Sequence, residues 1–123
     1  MIFKYSWPAI IWALIVLVLT LMPGKAIPDV GFFNADKLVH FFIFGFQMIL
    51  TSFALVKIAR LKAKPENPVL FAGVFSVLFG IMIEFIQNYV PGRSFSIADM
   101  IANTIGVILG YFTVRLLMRR RLI

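Results

Sequence analysis

Four apolar stretches constrain this chain more than any other feature of its sequence. They occupy residues 5–24, 38–56, 67–92 and 100–114. A helix needs about 20 predominantly apolar residues to cross a bilayer, and the first three stretches meet that length. The fourth reaches it when it begins near Ser94 and takes Asp99 into its first turns. The sequence therefore predicts an all-α membrane protein, a compact bundle of transmembrane helices at about residues 6–22, 38–57, 68–89 and 96–117.

The composition supports this interpretation. Hydrophobic residues make up 62% of the chain and charged residues 14%, which is too apolar for an ordinary soluble domain. Four helices use nearly all of the 123 residues, so residues 1–123 are predicted to form a single transmembrane domain. The absence of cysteine excludes disulfides, thiolate metal sites and a cysteine nucleophile.

Most of the Lys and Arg residues fall on one predicted side of the membrane. That side carries Lys4, a basic segment at 57–64 and a basic tail at 115–121, whereas the other side carries Lys25, Lys37 and Arg93 among aspartates. Cytoplasmic loops are rich in Lys and Arg, so we expect both termini to be cytoplasmic. The net charge of +7 then indicates topology and contact with anionic lipids, and no nucleic-acid partner is expected.

Polar residues are concentrated between the third and fourth stretches. Glu84 stands inside the apolar run IMIEFIQ, where an ionisable group is costly unless it has a partner or a task. Pro91 and Gly92 favour a turn, since proline fixes φ and glycine tolerates positive φ. The segment therefore reads as the end of one membrane helix, a hairpin and the start of the next.

Three of the predicted helices carry polar residues on one face near the same end. The spacings of three or four residues place the members of each set on one face: Asp36 with His40, Glu84 with Gln87, and Asp99 with Asn103. With a rise of about 1.5 Å per residue, all three sets lie in the outer third of the membrane. We expect them to form one shared, outward-facing site.

The fourth helix also carries small residues at regular spacing. Ala102, Gly106 and Gly110 recur every four residues, a pattern that lets membrane helices approach closely. We therefore expect this face of the helix to pack against a neighbouring helix rather than to carry chemistry.

The polar motifs together resemble the VanZ-like membrane proteins. The resemblance rests on Asp36-Lys37-x2-His40-Phe41, Glu84-x2-Gln87, Pro91-Gly92-Arg93-Ser94 and Asp99-x3-Asn103-x2-Gly106-x3-Gly110, and it covers roughly residues 36–112. The founding member of that family is associated with resistance to the glycopeptide teicoplanin. The resemblance implies a multi-pass protein of the bacterial plasma membrane that acts on or near the cell envelope. One departure is Phe44, where many relatives have tyrosine.

The candidate site residues divide by chemistry. His40, Glu84 and Asp99 are candidates for acid–base catalysis, because histidine titrates near neutral pH and carboxylates exchange protons with it. The candidates for ligand binding are Asp36, Lys37, Gln87, Arg93, Ser94 and Asn103. Arg93 and Ser94 precede a predicted helix start, where a phosphate or carboxylate is favoured.

Structural explanations compete with each of these roles. Glu84 could join helices by hydrogen bonds with Gln87 and Asn103, and Arg93 could extend its charge to the membrane surface. His40 could simply bond to Asp36, and Asp99 could stabilise a helix N-terminus. A divalent metal at His40, Glu84 and Asp99 is a weaker alternative that the spacing does not require, and no cofactor is expected.

Three classes of function follow from this pattern. We expect first a protein that binds an anionic cell-envelope lipid or glycan precursor. The alternative is a membrane enzyme that acts on a phosphate-bearing lipid carrier through His40 with Glu84 or Asp99. A proton-linked carrier ranks last, because four short spans would need to oligomerise to enclose a path, and the sequence leaves the oligomeric state open.

Overall fold

The computed structural model describes residues 3–26, 35–62 and 67–123, which form four α-helices. These are α1 (Phe3–Leu21), α2 (Ala35–Leu61), α3 (Pro68–Gln87) and α4 (Ile97–Arg119), with a short 3₁₀ turn at Gly24–Ala26. Each of the four helices is long and apolar enough to cross a membrane. The prediction of an all-α membrane protein with four spanning helices is confirmed.

The observed helix bounds differ most from the predicted ones in α2. This helix runs from Ala35 to Leu61, beyond the predicted 38–57 at both ends. Its first turn holds Asp36 and its last turn holds Arg60, charges of the signs that stabilise helix termini. Helix α2 therefore continues through the polar residues at both of its ends instead of stopping before them. Residues 27–34, between the first two predicted helices, and residues 63–66, at the end of the basic segment, lie outside the described residues.

Side chains fix the starts of α3 and α4. Asn67 Oδ1 accepts a hydrogen bond from the Leu70 N–H at 3.3 Å, and Pro68 occupies the first turn, where a missing N–H costs nothing. Ser96 Oγ accepts a hydrogen bond from the Asp99 N–H at 3.2 Å. The cap at Ser96 sets the point at which α4 begins, and thereby the position of Asp99.

Helices α2 and α4 form the closest pair of the bundle. A Cβ atom added at Gly106 would collide with the Phe41 carbonyl oxygen, and one added at Gly110 would lie 2.8 Å from the Gly45 carbonyl oxygen. These glycines let the two backbones touch. The predicted close contact of the small-residue face is thus confirmed for Gly106 and Gly110, with Gly45 as the partner on α2.

The apolar core is narrow and the outer surface is apolar as well. Phe44, Met48 and Ile83 are fully buried at the centre, while many large apolar side chains point outward, as is usual for helices that face lipid. Helix α1 joins the bundle partly through Trp12, whose Nε1–H donates a hydrogen bond to the Ile43 carbonyl at 2.9 Å.

The bundle has two chemically different ends. At one end the Gly24 N–H donates to the Pro91 carbonyl at 3.0 Å, which joins the end of α1 to the hairpin between α3 and α4. At the other end Arg60 Nη2 donates to the Ile123 carbonyl at 3.2 Å. We call the first, which also contains the start of α2, the polar end, and the second the basic end.

Candidate functional site

Three ionisable side chains from three helices meet at the polar end. His40 of α2, Glu84 of α3 and Asp99 of α4 each contribute one potential ligand atom, and these atoms lie within 4.8 Å of one another. The residues are 4%, 0% and 8% exposed, respectively. Since charges buried in an apolar bundle are costly, such a group needs mutual compensation or a bound cation. We call these three residues the His–Glu–Asp cluster.

The imidazole of His40 lies between the two carboxylates. Its Nδ1 is 3.0 Å from Asn103 Oδ1 and 3.7 Å from Glu84 Oε1, and its Nε2 is 4.0 Å from Asp99 Oδ2. An amide oxygen can only accept a hydrogen bond, so the contact with Asn103 places a proton on Nδ1. In the neutral ring Nε2 then carries a lone pair that faces Asp99.

The two oxygens of Glu84 have different surroundings. Oε2 accepts a hydrogen bond from the Ser96 N–H at 3.2 Å. Oε1 is buried and has no hydrogen-bond partner among the described residues, and the same holds for Asn103 Nδ2. A buried polar atom without a partner lowers the free energy of unfolding by about 1–3 kcal/mol. Two such atoms in this part of the bundle indicate that it serves a function besides folding.

Lys37 forms the exposed side of the cluster. Its Nζ lies 3.2 Å from Asp99 Oδ1 and 3.1 Å from Asp36 Oδ2. The side chains of Lys37 and Asp36 are 34% and 56% exposed, whereas that of Asp99 is 12% exposed. Asp36 therefore lies at the rim, and Lys37 connects the rim to the buried carboxylate of Asp99.

Arg93 and Gln87 contact the last turn of α1. Arg93 donates from Nε to the Met22 carbonyl at 3.1 Å and from Nη2 to the Leu19 carbonyl at 3.4 Å. Gln87 Nε2 donates to the Thr20 carbonyl at 2.6 Å. Carbonyls at a helix C-terminus have no partners within the helix, so both side chains complete α1 and attach it to the hairpin.

The sequence-predicted site residues thus occupy three positions. His40, Glu84, Asp99 and Asn103 meet in the interior, Lys37 and Asp36 lie at the rim, and Ser94 is exposed in the hairpin beside Arg93. Sequence reasoning missed the backbone N–H of Ser96 as a partner of Glu84. A serine three residues before Asp99, at a helix start, is a capping signal that could have indicated it.

An apolar groove lies beside the helix pair α2–α4 and does not include the cluster. It has a volume of about 440 Å³ and begins at Phe41, the residue after His40, and reaches Ile49 on α2 and Thr113 on α4. Its lining is almost wholly apolar. The polar chemistry and the groove are therefore separate features of the same two helices.

Comparison with known proteins gives the chain a family. The VanZ/LLP1 family matches residues 1–118. The chain is also 33% identical, over 87 residues, to an uncharacterized protein of the fission yeast Schizosaccharomyces pombe, a match that covers 71% of this chain and 51% of the yeast protein. The chain thus spans about half the length of that curated relative, and no solved structure matches it. With the family match extending over nearly its whole length, the chain belongs to the VanZ/LLP1 family.

Proposed function

We propose that this protein binds the phosphate-bearing head group of an anionic envelope lipid or glycan precursor at the polar end. The observation that carries the proposal is the presence of two cations at the polar end, Lys37 in contact with the buried Asp99 and Arg93 in the hairpin. Lys37 uses two of its three N–H donors on Asp36 and Asp99, and Arg93 uses two of its five on carbonyls at and just after the end of α1. The remaining donors are available to phosphate oxygens, for which charge-assisted hydrogen bonds are among the strongest.

An apolar tail would suit the surroundings of this head-group site. In a bilayer the groove beside α2 and α4 faces hydrocarbon, and the eight helical rises from Phe41 to Ile49 correspond to about 12 Å along the helix axis. A hydrocarbon chain that follows this groove would be held by contacts with α2 and α4. An amphiphile, with a charged head and a long tail, therefore fits better than a small soluble anion.

We place the site on the extracytoplasmic side of a bacterial plasma membrane. The support is the charge asymmetry, because the basic end carries Arg115, Arg119 and Arg120, and the positive-inside rule puts such an end in the cytoplasm. A protein that holds an envelope precursor on the outer side would alter what a glycopeptide such as teicoplanin encounters, which accounts for a role in resistance.

Native mass spectrometry of lipids that co-purify with the protein tests the proposal. We expect a phosphate-bearing lipid with the parent protein and at least a tenfold lower occupancy with Lys37→Gln, since a hydrogen bond to a charged group contributes about 1.5–3 kcal/mol and a tenfold change in affinity corresponds to about 1.4 kcal/mol. Lys25→Gln is the matched control, because Lys25 is an exposed lysine in the 3₁₀ turn near the same end. Equal occupancy in all three proteins, or equal loss in both variants, would refute a specific head-group site.

A second candidate function is a membrane enzyme that acts on a phosphate-bearing lipid carrier. The specific observation in its favour is the position of His40 between Glu84 and Asp99, at 3.7 and 4.0 Å. Such an imidazole can exchange a proton with either carboxylate and act as acid or base. Release of inorganic phosphate from a polyprenyl diphosphate, present with the parent and abolished in His40→Gln, would support it; no release by the parent would exclude this reaction.

A further inference from the structure

We propose that His40, Glu84 and Asp99 bind one divalent transition-metal ion, of the class of Zn²⁺ or Mn²⁺. Metal–nitrogen and metal–oxygen bonds of about 2.0–2.2 Å put the ligand atoms of a tetrahedral site about 3.3–3.6 Å apart. The potential ligand atoms of the cluster lie within 4.8 Å of one another, and Nε2 of His40 lies 4.0 Å from Asp99 Oδ2. Side-chain movements that shorten these separations by about 1 Å would bring the atoms to one ion.

The hydrogen bonds of the cluster leave one further nitrogen or oxygen atom of each side chain without a hydrogen bond among the described residues. His40 is held at Nδ1 by Asn103, Glu84 at Oε2 by the Ser96 N–H, and Asp99 at Oδ1 by Lys37. Among the described residues, no hydrogen bond reaches the other atom of each group, which are His40 Nε2, Glu84 Oε1 and Asp99 Oδ2. One atom held by a neighbour and one left bare is the arrangement that metal-binding side chains typically have, because outer partners fix the tautomer and orientation of the ligand.

Glu84 Oε1 is an independent indication of a missing partner. It belongs to a residue with no exposed surface, and it is an acceptor with no donor in the described part of the chain. A carboxylate oxygen buried in this way costs free energy that a bound cation would recover. No hydrogen bond from the described residues of α2, α3 or α4 reaches Glu84 Oε1.

The local charge also favours a cation. The cluster itself contains two carboxylates, those of Glu84 and Asp99, beside the single imidazole of His40. With both carboxylates ionised and His40 neutral, a divalent ion would compensate the charge of the cluster. The bound ion would also favour an anionic head group, but ion binding does not depend on the function proposed above.

The chemistry of the ligands selects the class of ion. One imidazole and two carboxylates without thiolate suit Zn²⁺, Mn²⁺ or Fe²⁺, whereas Ca²⁺ prefers a larger set of oxygens. Three protein ligands leave at least one coordination position for water or for a substrate oxygen. The chain contains one histidine, so a nitrogen ligand from a side chain can only be His40.

Metal content after equilibrium dialysis tests the proposal. The full chain, purified in detergent with a histidine-free affinity tag and stripped with a chelator, is dialysed against Zn²⁺ and measured by elemental mass spectrometry. We expect one equivalent per chain for the parent, and affinity at least tenfold weaker for Glu84→Gln and for His40→Gln. Asn103→Ala, which removes the partner of Nδ1, should weaken binding about 10–100-fold.

Asp36→Asn is the matched control, because it removes a carboxylate from the same Lys37 at the exposed rim. It should keep one equivalent of Zn²⁺. If Asp36→Asn loses as much affinity as Glu84→Gln, the ion is held by general charge and the proposed site is wrong.

Pulsed electron paramagnetic resonance of bound Mn²⁺ keeps the test decisive if a variant fails to fold. The parent should show coupling to one imidazole nitrogen, which must come from His40. A parent that binds neither Zn²⁺ nor Mn²⁺ stoichiometrically, or a Mn²⁺ spectrum without nitrogen coupling, would overturn the proposal.

Discussion

At the scale of single residues, Glu84 is the side chain whose position most needs an explanation. It is fully buried in a membrane helix, yet in the described part of the chain only one of its oxygens has a hydrogen bond, from the Ser96 N–H. A carboxylate that served only to join helices would be expected to use both oxygens. The unpaired Oε1, beside His40, is therefore better explained by a ligand, a proton or an ion.

The substitution Glu84→Gln separates these explanations. An amide keeps an oxygen for the Ser96 N–H and nearly the same shape, so we expect the free energy of unfolding in detergent to change by no more than about 1 kcal/mol. Proton capacity and negative charge are lost, so under the function proposed above we expect the parent to change the glycopeptide sensitivity of a bacterial host and Glu84→Gln to have no such effect while remaining in the membrane. A variant that retains the phenotype would show that Glu84 only joins helices.

Sequence reasoning reached the cluster but not all of its supports. The helical rise per residue relates distance along the sequence to depth in the membrane. It predicted that His40, Glu84 and Asp99 lie at the same depth. The same reasoning offered Glu84 as a partner of Gln87, but it did not identify the observed partners of Arg93 and Gln87, which are the backbone carbonyls of Met22 and Thr20. Backbone carbonyls carry no residue-specific signal, so only the arrangement of α1 beside the hairpin reveals these contacts.

At the scale of helices, the spacing of α2 and α4 controls where the cluster forms. His40 lies one residue before Phe41, whose carbonyl faces Gly106, and Asn103 lies one turn before Gly106. A wider separation of the two helices would pull His40 away from Asn103 and Asp99. The repeat of small residues on α4 was readable from sequence, whereas Gly45 on α2, an isolated glycine in an apolar run, gave no comparable pattern.

The substitution Gly106→Ala should therefore destabilise the bundle. Its Cβ would collide with the Phe41 carbonyl, and such overpacking costs about 1–3 kcal/mol. Gly73→Ala is the control, since a Cβ there would meet only the flexible end of Met48 at 3.7 Å and the gain in helix propensity should stabilise the protein slightly. Thermal unfolding in detergent measures both. Equal melting temperatures for the two variants would contradict close α2–α4 contact.

At the scale of the whole molecule, the protein separates a polar end from a basic end. The polar end contains the His–Glu–Asp cluster and the hairpin that holds α1, and the basic end contains Arg60, Arg115 and Arg119. The four spans were predictable because lipid demands long apolar runs with internally satisfied backbones. We propose that the polar end faces outward and that the basic end faces the cytoplasm.

Cysteine labelling in intact cells tests that claim most directly, since the chain contains no cysteine of its own. Ser94→Cys lies in the exposed hairpin at the polar end and leaves the Ser96 cap intact, while Leu122→Cys lies at the basic end at a position that is 66% exposed. We predict that a membrane-impermeant thiol reagent labels Ser94→Cys in intact cells and labels Leu122→Cys only after the membrane is permeabilised. Labelling of Leu122→Cys, but not of Ser94→Cys, in intact cells would contradict it.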